Sequence, residues 1–189
     1  MAQPSIDPDG FLAKAVRASE LPAISGSGVY GICLTNPGSL PPISAGKNGL
    51  LYVGMTEQGL DARNHFTHTN SGFSTFRRSL GAILKTKLAL NACPRSAGAS
   101  RSNVVNYRFS DVGEQALTRW MYDHLSIAQA ALTGDVAGKE KELIALMEPP
   151  LNLTGWPNPQ RALIKRLRAE CVDEAQLVGD LHRRQSGFN

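Results

Sequence analysis

The sequence predicts an α+β fold, a small and mainly antiparallel three-stranded sheet flanked by helices. Two β-rich runs, GVYGICL at 28–34 and LLYVG at 50–54, stand on either side of a turn-rich loop and can pair as antiparallel neighbours. A third run of strand character covers 104–109. The other long segments carry apolar residues at helical spacing.

Each element has its own reason. Residues 11–22, FLAKAVRASELP, read as a short helix stopped by Pro22. Alternation in the first strand puts Tyr30, Ile32 and Leu34 on one face. The loop at 35–49 is rich in glycine, proline and serine. In the second strand Leu50 and Tyr52 share a face. Residues 59–68 read as a short helix and 74–90 as a better one, with Ser74 as its cap and Phe76, Leu80, Ile83, Leu84, Leu88 and Leu90 as its apolar stripe. A flexible composition marks 91–103 as loop. The strand 104–109 precedes a helix over 113–132, with Leu117, Trp120, Met121 and Ala128 on one stripe. Another helix over 139–147 is stopped by Pro149 and Pro150. Residues 161–184 read as a basic helix, broken near Val172 and Asp173.

Composition narrows the function classes. The 189 residues are 42% hydrophobic and 19% charged, which suits a globular domain and not wholesale disorder. A net charge of +4 and a pI of about 9.1 suit a polyanionic partner. Cys33, Cys93 and Cys171 are far apart, with no metal-ligand spacing and no disulfide pattern. The first ten residues lack the features of a signal peptide, and no apolar run approaches the roughly 20 residues that span a bilayer. A soluble, cytoplasmic protein is the expectation.

The motifs are more specific. GVY at 28–30 and YVG at 52–54 resemble the paired motifs of the GIY-YIG nuclease family. The order strand, strand, helix, helix, strand, helix is similar to the family core. So is a helix bearing Glu140, Leu143 and Ile144, followed by Pro149, Pro150, Leu151 and Asn152, with twelve positions from glutamate to asparagine. The resemblance covers 26–155. It implies a catalytic domain there, an N-terminal extension with a short helix at 1–25 and a basic helical extension at 156–189. It further implies an endonuclease that hydrolyses DNA with Mg²⁺ or Mn²⁺. A non-catalytic nucleic-acid-binding module of the same fold is the alternative, and an interaction protein that uses its helices is a third class. Oligomeric state stays open, a homodimer included.

Cutting a phosphodiester needs an activated water, a cation on the phosphate, neutralisation of developing charge and help for the leaving oxygen. By the resemblance, Glu140 holds the metal. Helical spacing supports it over Glu142 and Glu148, because Glu140 shares a face with Ile144 and Met147 while Glu142 points about 200° away. The resemblance gives Tyr30 to the attacking water and Tyr52 to its orientation. Arg63, eleven residues after Tyr52, matches the arginine that meets the scissile phosphate. Four positions later, where members often carry histidine or tyrosine, this chain has Thr67. His65 and His68 lie near, but on a regular helix His65 points about 200° from Arg63. The proton relay therefore stays open, with His65 the candidate. Asn152 either contacts nucleic acid or holds the site's loop. Arg77 and Arg78, at a helix start behind Ser74, form a candidate phosphate contact. Trp120 and His124 read as core residues.

Overall fold

The computed structural model describes residues 6–61, 66, 70–96 and 100–186. In chain order its elements are α1 (Pro8–Leu12), β1 (Val16–Arg17), β2 (Gly28–Leu34), β3 (Leu50–Thr56), α2 (Thr75–Leu84), β4 (Ala92–Cys93), α3 (Arg101–Val105), β5 (Arg108–Phe109), α4 (Asp111–His124), β6 (Leu125–Ala131), α5 (Val136–Met147) and α6 (Arg161–Ser186). Single 3-10 turns cover Ala18–Glu20, Lys47–Gly49 and Ser71–Phe73. The chain divides into two units. One holds Met1–Asn64 and Met121–Arg161; the other holds His65–Trp120 and Ala162–Asn189.

The first unit is built on a four-stranded sheet of order β1-β6-β2-β3, antiparallel throughout. The fold class is α+β as the sequence predicts, but the sheet has four strands and a different third member. The run 104–109 does not join it. Part of that run is α3, and Arg108 and Phe109 pair with Cys93 and Ala92 in a separate two-stranded ribbon. The place beside β2 belongs to β6, from a segment whose alanines and apolar spacing read as the end of a helix. Pairing along all of β2 outweighs that local propensity.

Small residues explain how β6 fits. Ala128 stands opposite Gly31, and α1 lies on this face. A Cβ at Gly31 would come within 3.1 Å of the Phe11 ring and 3.3 Å of Leu12. Phe11 and Leu12 therefore rest on a floor that has no bulk of its own. They join Val29, Cys33, Leu50 and Val53 of the sheet and Val136, Leu143 and Ile144 of α5 in one core. Asp7 caps α1 and Asp135 caps α5 through their carboxylates. At its far end α5 stops on Glu148 in the left-handed region, and Pro149 and Pro150 prevent its continuation.

In the second unit Ser74 caps α2 as expected, accepting from the Arg77 amide at 3.1 Å. Phe76, Leu80 and Leu84 of α2 are buried, as are Tyr107 and Phe109. Those last two rings meet edge to face, with centroids 5.6 Å apart. The helix α6 runs unbroken through Val172 and Asp173, where the sequence suggested a break, because Cys171 and Ala175 one turn apart are both fully buried. Among the described residues no helix is long and apolar enough to cross a membrane.

Candidate active site

The sheet register brings the two motif tyrosines together. Tyr30 pairs with Gly54 and Ile32 with Tyr52, so Tyr30 and Tyr52 are diagonal neighbours on one face. Their ring centroids lie 6.3 Å apart with a 35° tilt. The glycine of YVG has a physical task here. A Cβ on Gly54 would fall on the Tyr30 hydroxyl, and would sit 2.5 Å from its Cζ and 2.9 Å from Cε1 of Tyr52. Only a residue without a side chain lets both rings lie across that position. Tyr30 is buried and Tyr52 half-buried.

A residue that sequence reasoning missed stands in the same row. Gln129 of β6 is directly opposite Tyr30. Its Nε2 donates to the Leu60 carbonyl at 3.3 Å, while its Oε1 is buried with no hydrogen-bond partner among the described residues. The signal was an alternation of Leu125, Ile127 and Gln129, facing Leu34, Ile32 and Tyr30. Ala128 between them and Ala130 and Ala131 after them concealed it.

Glu140 stands on α5, half-buried, one turn from Val136 and one turn from Ile144, both in the core. The stripe is the expected one. However, α5 packs on the Val29 and Val53 face of the sheet, opposite to the tyrosines. The rival Glu142 is exposed and bound to Lys139 at 2.5 Å. Glu148, exposed, ends the helix. Among the described residues no three His, Cys, Asp or Glu side chains gather as a metal cage. Arg63, His65, Thr67 and His68 lie outside the described residues.

Asn152 has a definite task. Its Oδ1 accepts from the Val53 amide at 2.9 Å, and its Nδ2 donates to the Val53 carbonyl at 2.8 Å. The Leu151 amide donates to the Leu51 carbonyl at 2.8 Å. Because β3 is the outer strand, this segment completes its open edge. Trp156 and Asn158 both donate to the Asn152 carbonyl, and Gln160 exchanges two hydrogen bonds with the Ser44 backbone. Of the two roles left open for Asn152, these bonds match the one that holds the loop, since both polar ends of its amide are used on the Val53 backbone.

The expectation for Arg77 and Arg78 is corrected. Both guanidinium groups are inside the second unit, with Arg77 0% and Arg78 7% exposed. Arg77 pairs with Glu114 at 2.7 Å and donates to Thr118 at 3.0 Å. Arg78 donates to the carbonyls of Ser71 and Gly72 and to the Thr75 hydroxyl. A side chain committed in this way cannot also be the exposed phosphate contact that the helix start suggested. Of the thiols, burial pushes Cys33 up to about 12 and Cys171 up to about 11, as suits inert core residues.

No curated protein and no solved structure matches the chain. The model of the GIY-YIG catalytic domain matches residues 28–170, well over half of its length. That match begins at the glycine of the first motif and spans the paired tyrosines, Gly54 and the α5 glutamate with its asparagine. On that extent the chain belongs to the GIY-YIG catalytic-domain family.

Proposed function

We propose that this protein is a divalent-ion-dependent endonuclease that hydrolyses phosphodiester bonds in DNA. The observation that carries the reading is the tyrosine pair, held on one face of the sheet by a glycine that nothing but a glycine can replace, in a chain of this family.

The donor set fits a hard cation. Glu140, on the helix that packs behind the tyrosine face, would offer its carboxylate past the outer strand β3, with no protein cage of three or more ligands among the described residues. Mg²⁺ and Mn²⁺ accept such a place, since they keep waters and take substrate oxygens as their other ligands. When bound, the ion supplies positive charge to the phosphate and acidifies water. In hydrolysis, water oxygen adds to phosphorus and the P–O ester bond breaks. Tyr30 accepts the proton that the water loses as it passes its own phenolic proton to the relay, Tyr52 orients that water, and a proton returns from the relay to the leaving oxygen. Arg63 steadies the charge on the phosphate, and His65 serves the relay.

Plasmid nicking with Mg²⁺ and with chelator tests the reading. Glu140→Ala should lower the cutting rate about a thousandfold while DNA binding survives. Glu142→Ala should cut as wild type does. The reverse pattern would move the metal residue to Glu142. A wild type that binds DNA and never cuts with any divalent ion would make the protein a binding module.

A further inference from the structure

The second unit carries a cluster of positive charge that the catalytic reading does not use. Phe73, last residue of the turn Ser71–Phe73, is 66% exposed. The guanidinium of Arg95 lies over its ring, 5.0 Å from the centroid. The stem of Arg95 runs across Gly72, where a Cβ would lie 2.8 Å from Arg95 Cδ. Only a small residue at 72 lets the stem lie flat there.

Arg78 lies close by. Its hydrogen bonds go only to neutral oxygens, those of Ser71, Gly72 and Thr75. Burial first, and then the neighbouring charges of Arg168 on α6 and of Arg95, hold its pKa down to about 10. Among the described residues Arg78, Arg95 and Arg168 make no ion pair, whereas Arg77 next to them has its glutamate. Like charges gathered without an ion-paired acid oppose one another, and an incoming anion relieves them. The exposed ring adds a second requirement: the ligand should have a flat apolar face as well as negative charge. A nucleic-acid strand has both.

We propose that Phe73, Arg95 and Arg168 form the surface that receives an unpaired segment of the DNA substrate, one base stacking on Phe73 and a phosphate meeting Arg95 and Arg168. Stacking on Phe73 requires a base that is free of its neighbour, so a single strand or a frayed end fits and a blunt duplex does not. Both arginines are half-buried, so their planes are pre-set for a phosphate. The inference rests on the nuclease reading for the identity of its ligand.

Fluorescence anisotropy with the full chain in chelator tests it, using a labelled single-stranded oligonucleotide and a blunt duplex. Phe73→Ala and Phe73→Leu should each weaken single-strand binding about tenfold and leave the duplex nearly unchanged. Arg95→Gln and Arg168→Gln should each reduce the slope of log K against log salt by about 0.7 for the single strand. Thermal melting of each variant should match wild type within a few degrees, which separates lost contact from lost fold. If wild type binds and these variants bind equally well, the surface is elsewhere; a wild type that still cuts would then leave the nuclease reading intact. If wild type binds through Phe73 and never cuts, the surface stands and the nuclease reading falls. A wild type that binds neither probe overturns the proposal.

Discussion

Asn152 and Arg77 are each buried and polar, each among the residues singled out from sequence, and each holds backbone in place within its own unit. They do so with different chemistry. Asn152 is neutral and gives one acceptor and one donor to a single residue of an edge strand. Arg77 is charged, and its partner Glu114 is the true hub. The Glu114 carboxylate accepts from the amides of Ser71 and Phe109, from the Ser71 hydroxyl and from Arg77. Those groups belong to the turn before α2, to β5 and to α2. The difference teaches where fragility lies. A neutral amide that is lost leaves neutral groups wanting partners; a lost ion leaves a buried charge.

The largest effect should come from breaking the ion pair on one side. Glu114→Ala would strand the Arg77 guanidinium, which is 0% exposed, and remove the acceptor of two amides. A loss of about 3–5 kcal/mol is expected in urea unfolding. Replacing both partners, as Arg77→Met with Glu114→Leu, should cost less than Glu114→Ala alone, because no charge is left behind. A double variant worse than the single one would mean that the hub's neutral hydrogen bonds, and not its charge, hold the turn before α2.

The amide clamp should come second. Asn152→Ala leaves the Val53 amide and carbonyl without protein partners at the edge of the sheet. About 2 kcal/mol is expected, with faster hydrogen exchange at the Val53 amide. Asn152→Asp sharpens the comparison. It keeps the acceptor for the Val53 amide and sets a second carboxylate oxygen against the Val53 carbonyl, so it should be no better than alanine. A neutral outcome for the aspartate would show that only the amide bond matters.

The same pair of residues shows what the sequence could and could not reveal. The spacing from Glu140 to Asn152 was legible, because the helix and the two prolines that set it are local in the chain; the Val53 partner of Asn152, 99 residues away, was not. The pairing of Tyr30 and Tyr52 was legible because alternation and a turn-rich loop fix a hairpin. The burial of Arg77 was not. Its partner lies 37 residues away, and nothing at a helix start distinguishes an arginine that points inward from one that points out. Nor was β6 legible. Alanine is the best helix former and a poor strand former, so SIAQAA reads as helix until a strand with Gly31 at its centre provides the place it fills. With β6 read as helix, Gln129 could not be seen beside Tyr30.

The smallest effect should be that of Glu142→Ala, and it probes the boundary between the two chemistries. Glu142 and Lys139 form an ion pair three residues apart on α5, with side chains 53% and 9% exposed. One partner is thus in solvent and the other is nearly as buried as the Arg77–Glu114 pair. Water screens the exposed glutamate, so the pair itself should contribute under about 1 kcal/mol. The lysine stem is long, and its ammonium can swing to solvent once the glutamate is gone, an escape that the enclosed Arg77 lacks. The expected change in stability is therefore below about 1 kcal/mol, measured by urea unfolding at low and high salt, with the salt dependence of the wild type lost in the variant. A loss above about 2 kcal/mol would show that Lys139 cannot leave its place, and that this pair behaves as the buried one does. Escape to solvent would then be no guide to which charged residues of this fold tolerate loss of a partner.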